Sequence, residues 1–120
     1  LIYQPHFMRA FIHVGDFALG LIFAMDNAGR MVNQVYNLGD ESLNLTKCEL
    51  AQRIKEKIDF ELQVSEAGED PDKRNYTVDF SKLRALGYAV RVSVSDGIDE
   101  LVRGLPVLDV KNPFTNAAYY

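Results

Sequence analysis

Nine consecutive residues, Phe17-Ala18-Leu19-Gly20-Leu21-Ile22-Phe23-Ala24-Met25, carry no polar side chain. The pattern predicts a helix entered at Asp16, whose carboxylate suits the amides of a first turn, and running to about Ala28, with Gly29 as its stop. A helix with almost no polar face must be covered on more than one side. Before it, Ala10 to Val14 reads as a short strand. After it, Gln34 to Leu38 reads as another, centred on Val35 and Tyr36 and closed by the turn signal Gly39-Asp40.

The strongest helix start lies at Thr46: Thr46 suits the N-cap, Glu49 closes a capping box, and Leu45 stands where it can staple onto Leu50. Leu50, Ile54 and Ile58 recur at intervals of four beside Ala51, giving one apolar stripe. Phe60, Leu62 and Val64 alternate as a strand, and so do Tyr76, Val78 and Phe80. Between them, Ser65 to Asn75 is polar, contains Gly68 and Pro71, and reads as a surface loop. Ser81 is placed to cap a short helix that Gly87 ends. Ser93, with Asp96 in the capping-box position, opens a last helix reaching Gly104 through Ile98, Leu101 and Val102. Pro106 to Tyr120 has no period and is expected to be a tail. No repeat or low-complexity tract interrupts the order, which is that of a small α/β domain.

At 120 residues and 48% hydrophobic, the chain can bury a modest core. It opens at Leu1 without Met, and the strand-like run Leu1-Ile2-Tyr3 begins at once, so a piece of a longer protein is expected. A net charge of −4 argues against general nucleic-acid affinity, which needs clustered Lys and Arg. One cysteine excludes an internal disulfide and a cysteine-based zinc site; Cys48 reads as a small core residue rather than a nucleophile. No segment is apolar for the roughly 18 residues that a membrane span needs, and no signal-peptide pattern stands at the start, so a cytoplasmic setting is expected.

The candidate chemistry is that of an anion site. Arg9 and Arg74 each precede an expected strand, where loops gather, and a guanidinium can grip two phosphate oxygens in fixed geometry. Each suits an ordinary surface ion pair equally well. Asp72 can orient Arg74, accept a ribose hydroxyl, or simply be solvated. His13 lies between Ile12 and Val14 but faces away from both, and reads as a structural histidine holding backbone polar groups. With His6 as the only other histidine, no metal site is spaced along the chain. Nor is there a Gly-x-Ser-x-Gly elbow, a Gly-x-Gly-x-x-Gly fingerprint or a phosphate-loop lysine.

Several segments share an order with one family. Arg9-Ala10-Phe11-Ile12-His13-Val14-Gly15-Asp16 before an apolar helix, Val35-Tyr36-Asn37-Leu38-Gly39-Asp40-Glu41, Leu45-Thr46-Lys47, Asp70-Pro71-Asp72-Lys73-Arg74, Asp79-Phe80-Ser81-Lys82 with Leu86-Gly87, and Ser93-Val94-Ser95-Asp96-Gly97-Ile98 together resemble the C-terminal portion of the NAD-dependent epimerase/dehydratase proteins. These are extended short-chain dehydrogenases acting on nucleotide sugars. The resemblance covers about residues 1 to 104 and leaves 105 to 120 as a tail. It implies the last helix and strand of a Rossmann sheet, made by the segment from Asp16 through Tyr36, plus a small mixed substrate-binding domain. It implies a nucleotide-diphosphate sugar as ligand, held by Arg9, Asp72 and Arg74, and places the neighbourhood of Asn44 near the nucleotide.

The chain departs from the family's Arg-x-Gly-Asp form, which wants an arginine near Glu69, so the phosphate role falls to Arg74. NAD or NADP would be bound mainly by an N-terminal part not in this sequence, which lacks both the glycine-rich loop and the family's Tyr-x-x-x-Lys pair. By the same resemblance the intact protein is an NAD(P)-dependent nucleotide-sugar epimerase or dehydratase, homodimers are common, and this portion alone would be inactive. The alternative is a small non-enzymatic nucleotide-binding or interaction domain.

Overall fold

The computed structural model describes residues 1–65 and 67–108. Among these residues, two short sheets and five helices make a mixed α/β arrangement. Strand β1 (Ile2–Tyr3) runs parallel to β4 (Val64–Ser65), and β2 (Met8–Ala10) runs antiparallel to β3 (Asn44–Thr46) in the register Met8–Thr46, Arg9–Leu45, Ala10–Asn44. The helices are α1 (Val14–Asp26), α2 (Ala28–Met31), α3 (Lys47–Lys55), α4 (Ser81–Arg84) and α5 (Val94–Gly104), with 3-10 turns at Glu41–Leu43 and Leu105–Val107.

The front of the chain differs from the expected pattern. Its strand is Met8–Ala10 rather than Ala10 to Val14, and Phe11 then donates to the Leu43 carbonyl at 3.0 Å before α1 begins. His13, not Asp16, caps α1: its Nδ1 accepts the Gly15 amide at 3.1 Å. Asp16 is turned inward at 1% exposure, where its carboxylate accepts the amides of Arg91 at 3.0 Å and Val92 at 2.9 Å. Its role is therefore long-range, joining α1 to the segment that leads into α5. The Tyr88 hydroxyl strengthens this joint by donating to the Asp16 carbonyl at 2.7 Å. Helix α1 stops at Asn27, whose side-chain amide donates to the Phe23 carbonyl at 2.8 Å, while Gly29 lies inside α2.

Only Asp16 and Gly20 of α1 are fully buried. A Cβ on Gly20 would collide with the Leu38 side chain, so this glycine permits close approach of the segment after α2. Val14, Phe17, Leu21, Ile22 and Met25 remain exposed. The expected strand over Gln34 to Leu38 makes no ladder, and Val35 is 83% exposed. No strand lies beside it among the described residues; it is tied instead by the Asn37 amide to the Asp79 carbonyl at 3.0 Å and by Lys82 to the Val35 carbonyl at 2.8 Å.

Both capping boxes are present, at Thr46–Glu49 and at Ser93–Asp96. The Thr46 side chain accepts the Glu49 amide at 3.0 Å, while Glu49 accepts the Thr46 amide at 2.7 Å. Helix α3 ends before Ile58, which is exposed, so the stripe is carried by Leu50 and Ile54. Cys48 is free and half-buried. The expected strand from Phe60 shrinks to Val64–Ser65. Tyr76 to Phe80 forms no strand, because Val78 bonds to the side chain of Asn44 instead of to a backbone partner. Ser81 is the first residue of α4 rather than its cap; the Asp79 carboxylate accepts its amide at 2.8 Å. The tail expected from Pro106 begins in the Leu105–Val107 turn, and residues 109–120 lie outside the described residues.

Among the described residues the core consists of Leu43, Leu45, Phe80, Leu83, Tyr88 and Ile98. Leu45 of this core lies opposite Arg9 in the β2–β3 ladder. Gly39 belongs to the same packing: at φ 150° its missing Cβ leaves room for the Phe80 ring, which a methyl group would meet at 2.6 Å.

Candidate anion site

Arg9 of β2 meets two residues of one loop, Asp72 and Arg74, that lie 63 and 65 positions further along the chain. Arg9, opposite Leu45 in the ladder, extends its guanidinium into the loop that follows β4. Its Nη2 donates to the Asp72 carbonyl at 3.0 Å and lies 3.3 Å from the Asp72 carboxylate, while its Nη1 donates to the carbonyls of Met8, at 2.8 Å, and Arg74. The Tyr76 ring lies beneath, 5.6 Å from the guanidinium carbon, a cation–π distance. Arg9 is thus largely enclosed, its side chain 12% exposed.

Arg74 grips the same carboxylate from outside. Its Nε and Nη2 donate to the two oxygens of Asp72 at 2.7 Å each, the bidentate pairing that a planar guanidinium favours. Its side chain is 71% exposed. Hydrogen bonds from Arg74 hold the Asp72 carboxyl well below the ordinary carboxylate range, with Arg9 adding to the effect, and Asp72 in turn raises the pKa of Arg74. One carboxylate between two guanidinium groups leaves the cluster with one net positive charge on an otherwise acidic protein.

Arg9, Asp72 and Arg74, singled out in the sequence, are therefore brought together. Asn44 is not free to reach into this cluster: it lies opposite Ala10 and is bonded to Val78 at 2.9 Å through both ends of its amide. His13 lies elsewhere. With Nδ1 accepting from Gly15, its Nε2 carries the proton and donates to Glu100 at 3.1 Å. His13 and Glu100 line a cavity of about 410 Å³ whose other walls include Phe11, Leu43, Leu50 and Ile98. That lining is too apolar for a phosphate, and none of the cluster residues contributes to it.

Sequence reasoning missed the supports of the cluster. Asn75 accepts the Met8 amide at 2.9 Å, and Lys47 reaches Asp70 at 2.5 Å. Lysine at the first position of a helix opposes the macrodipole, so Lys47 carried a signal that it needed a partner. Among the described residues no group of three or more His, Cys, Asp or Glu could hold a metal, and no helix is long and apolar enough to cross a membrane.

No protein-family model matches the chain. Over 94 residues, 78% of its length, it is 32% identical to GDP-L-fucose synthase 1 of Arabidopsis thaliana. Over those residues the chain is homologous to the NAD-dependent epimerase/dehydratase family. The same length aligns at 31% identity with a putative GDP-L-fucose synthase 2 of Arabidopsis thaliana and at 30% with a probable GDP-L-fucose synthase 1 of Oryza sativa subsp. japonica. The chain spans 28% of the length of each of these epimerase/dehydratase relatives.

Proposed function

We propose that this chain is the substrate-binding part of an NAD(P)-dependent nucleotide-sugar epimerase/dehydratase, and that the Arg9–Asp72–Arg74 cluster holds the diphosphate of the nucleotide sugar. The observation that carries this reading is the pairing of an enclosed guanidinium with an exposed one on a single carboxylate. Arg9 fixes the loop, whereas Arg74 uses Nε and Nη2 on Asp72 and keeps Nη1 toward solvent without a protein partner among the described residues. A phosphate oxygen can add to that free edge without displacing Asp72. Charge-assisted bonds of this kind are about twice as strong as neutral ones.

The relatives' names make a guanosine-diphosphate sugar the first substrate to test. The chain's own residues do not fit a nicotinamide dinucleotide. The fingerprint glycines are absent, and the first turn of α1 is already occupied by the His13 cap. No hydride-transfer step is therefore assigned to this portion. Binding remote from the reacting atoms still serves catalysis, because it fixes the sugar against cofactor and base supplied from elsewhere. The exposed apolar face of α1 suits packing against such an additional part.

Calorimetric titration of the full-length protein with guanosine, uridine and thymidine diphosphates tests the reading. Saturable binding, tightest for the guanosine form, is expected. Absence of binding by all three would sink it.

A further inference from the structure

Among the described residues, the loop that presents Arg74 has no ladder of its own beyond Ser65, and side chains hold its shape. Four of them form a continuous series. Lys47 donates to the Tyr3 carbonyl and to Asp70 Oδ2, the latter at 2.5 Å. The other oxygen of Asp70 accepts the Asp72 amide at 2.7 Å. Asp72 then accepts the amide of Arg74 at 3.2 Å and its guanidinium at 2.7 Å. Gln4 adds a second hold by accepting the Asp70 amide at 3.3 Å.

Lys47 is itself firmly placed. It is the first residue of α3, its amide donates to the Phe7 carbonyl at 3.0 Å, and the next amide, of Cys48, donates to the Pro5 carbonyl at 3.0 Å. Its side chain is 17% exposed. A lysine held at both ends, in a position where the helix dipole disfavours it, is better explained by its carboxylate partner than by solvation.

We infer that Lys47 is a positioning residue for the anion site: through Asp70 it fixes the turn that aims Arg74 at the ligand, while touching no ligand itself. The inference rests on the reading of Arg74 as a diphosphate contact. Losing the Lys47 ammonium leaves Asp70 without its cation and loosens the start of the 70–74 turn, while Arg9 still holds the carbonyls of Asp72 and Arg74. The Arg74 guanidinium then samples many directions, and the ligand must select the productive one, which lowers affinity by the fraction of time that direction is populated.

The test is a double-mutant cycle in the full-length protein, with Lys47→Met, Lys47→Arg, Arg74→Ala and the Lys47→Met/Arg74→Ala pair, titrated with guanosine diphosphate and with the nicotinamide cofactor. Expected are a roughly 5- to 20-fold loss of diphosphate affinity in Lys47→Met, recovery to within about 3-fold in Lys47→Arg, unchanged cofactor affinity, and less than a 2-fold further loss when Lys47→Met is added to Arg74→Ala. A loss in Arg74→Ala with none in Lys47→Met, or losses that simply multiply in the pair, would overturn the positioning role. Unchanged affinity in Arg74→Ala would instead overturn the functional reading on which it rests. Amide exchange separates a damaged fold from a loosened turn: faster exchange is expected at Asp72 and Arg74 but not within α5, and faster exchange throughout would count against the inference.

Discussion

Asn44 and Val78 are joined by two hydrogen bonds of 2.9 Å, the side-chain amide donating to the Val78 carbonyl and accepting the Val78 amide. A side chain thus replaces a neighbouring strand, which is why the alternating Tyr76-Val78-Phe80 pattern lies beside β3 without forming a ladder. Asn44→Ala should destabilise the chain by about 1–3 kcal/mol, since it leaves both backbone groups of Val78 unpaired. Asn44→Asp keeps the acceptor but loses the donor and should fall between. Urea midpoints provide the check, and an unaltered midpoint in Asn44→Ala would show that water replaces the amide without cost.

Asp16 should prove a structural keystone of the segment leading into α5. Asp16→Asn offers an amide where two backbone donors need acceptors, and should cost about 2–3 kcal/mol. His13→Ala removes only a cap and should cost about 1 kcal/mol. Thermal unfolding of the two variants ranks them. The opposite order would mean that the contacts of Asp16 with Arg91 and Val92 contribute little to stability.

Part of the acid sensitivity of the fold should come from the anion site. Asp72 is held below its ordinary pKa chiefly by hydrogen bonds from Arg74, and Asp70 chiefly by that from Lys47. A carboxyl depressed by folding stabilises the fold at every pH above its unfolded value, about 4, and loses that contribution as pH falls through its folded value. Asp72→Asn and Asp70→Asn should therefore make the decline of the urea midpoint below about pH 4 shallower. Identical acid limbs in wild type and variants would contradict the assignment.

The apolar side of α1 should tolerate charge in this chain. Leu21→Lys and Met25→Lys, both at exposed positions, should change stability by less than about 0.5 kcal/mol and reduce binding of a hydrophobic dye. A large loss of stability would mean that the face is covered by the chain itself.

The parts legible in the sequence were those specified by neighbours. Thr46 with Glu49 and Ser93 with Asp96 announce helix starts because both partners of each box lie within three residues. Arg9 and Arg74 were recognisable as anion-binding types and Asp72 as a group able to orient Arg74, but not the sharing of that carboxylate with Arg9, 63 residues away. Asp16 misled because a carboxylate before an apolar run has the local signature of a cap, while its partners at Arg91 and Val92 are remote. The alternations at Val35 and Val78 were real, but a strand needs a partner as well as a pattern. Neither segment has one among the described residues, and no periodicity could have revealed that.

Arg74 is the residue on which the proposed diphosphate contact depends. In the full-length protein, Arg74→Ala should weaken binding of the nucleotide diphosphate by about 1.5–3 kcal/mol, roughly 10- to 100-fold, through loss of a charge-assisted bond. Binding of the nicotinamide cofactor, titrated separately in the same preparation, should be unchanged. A folded Arg74→Ala protein with wild-type affinity for the diphosphate would remove Arg74 from the site.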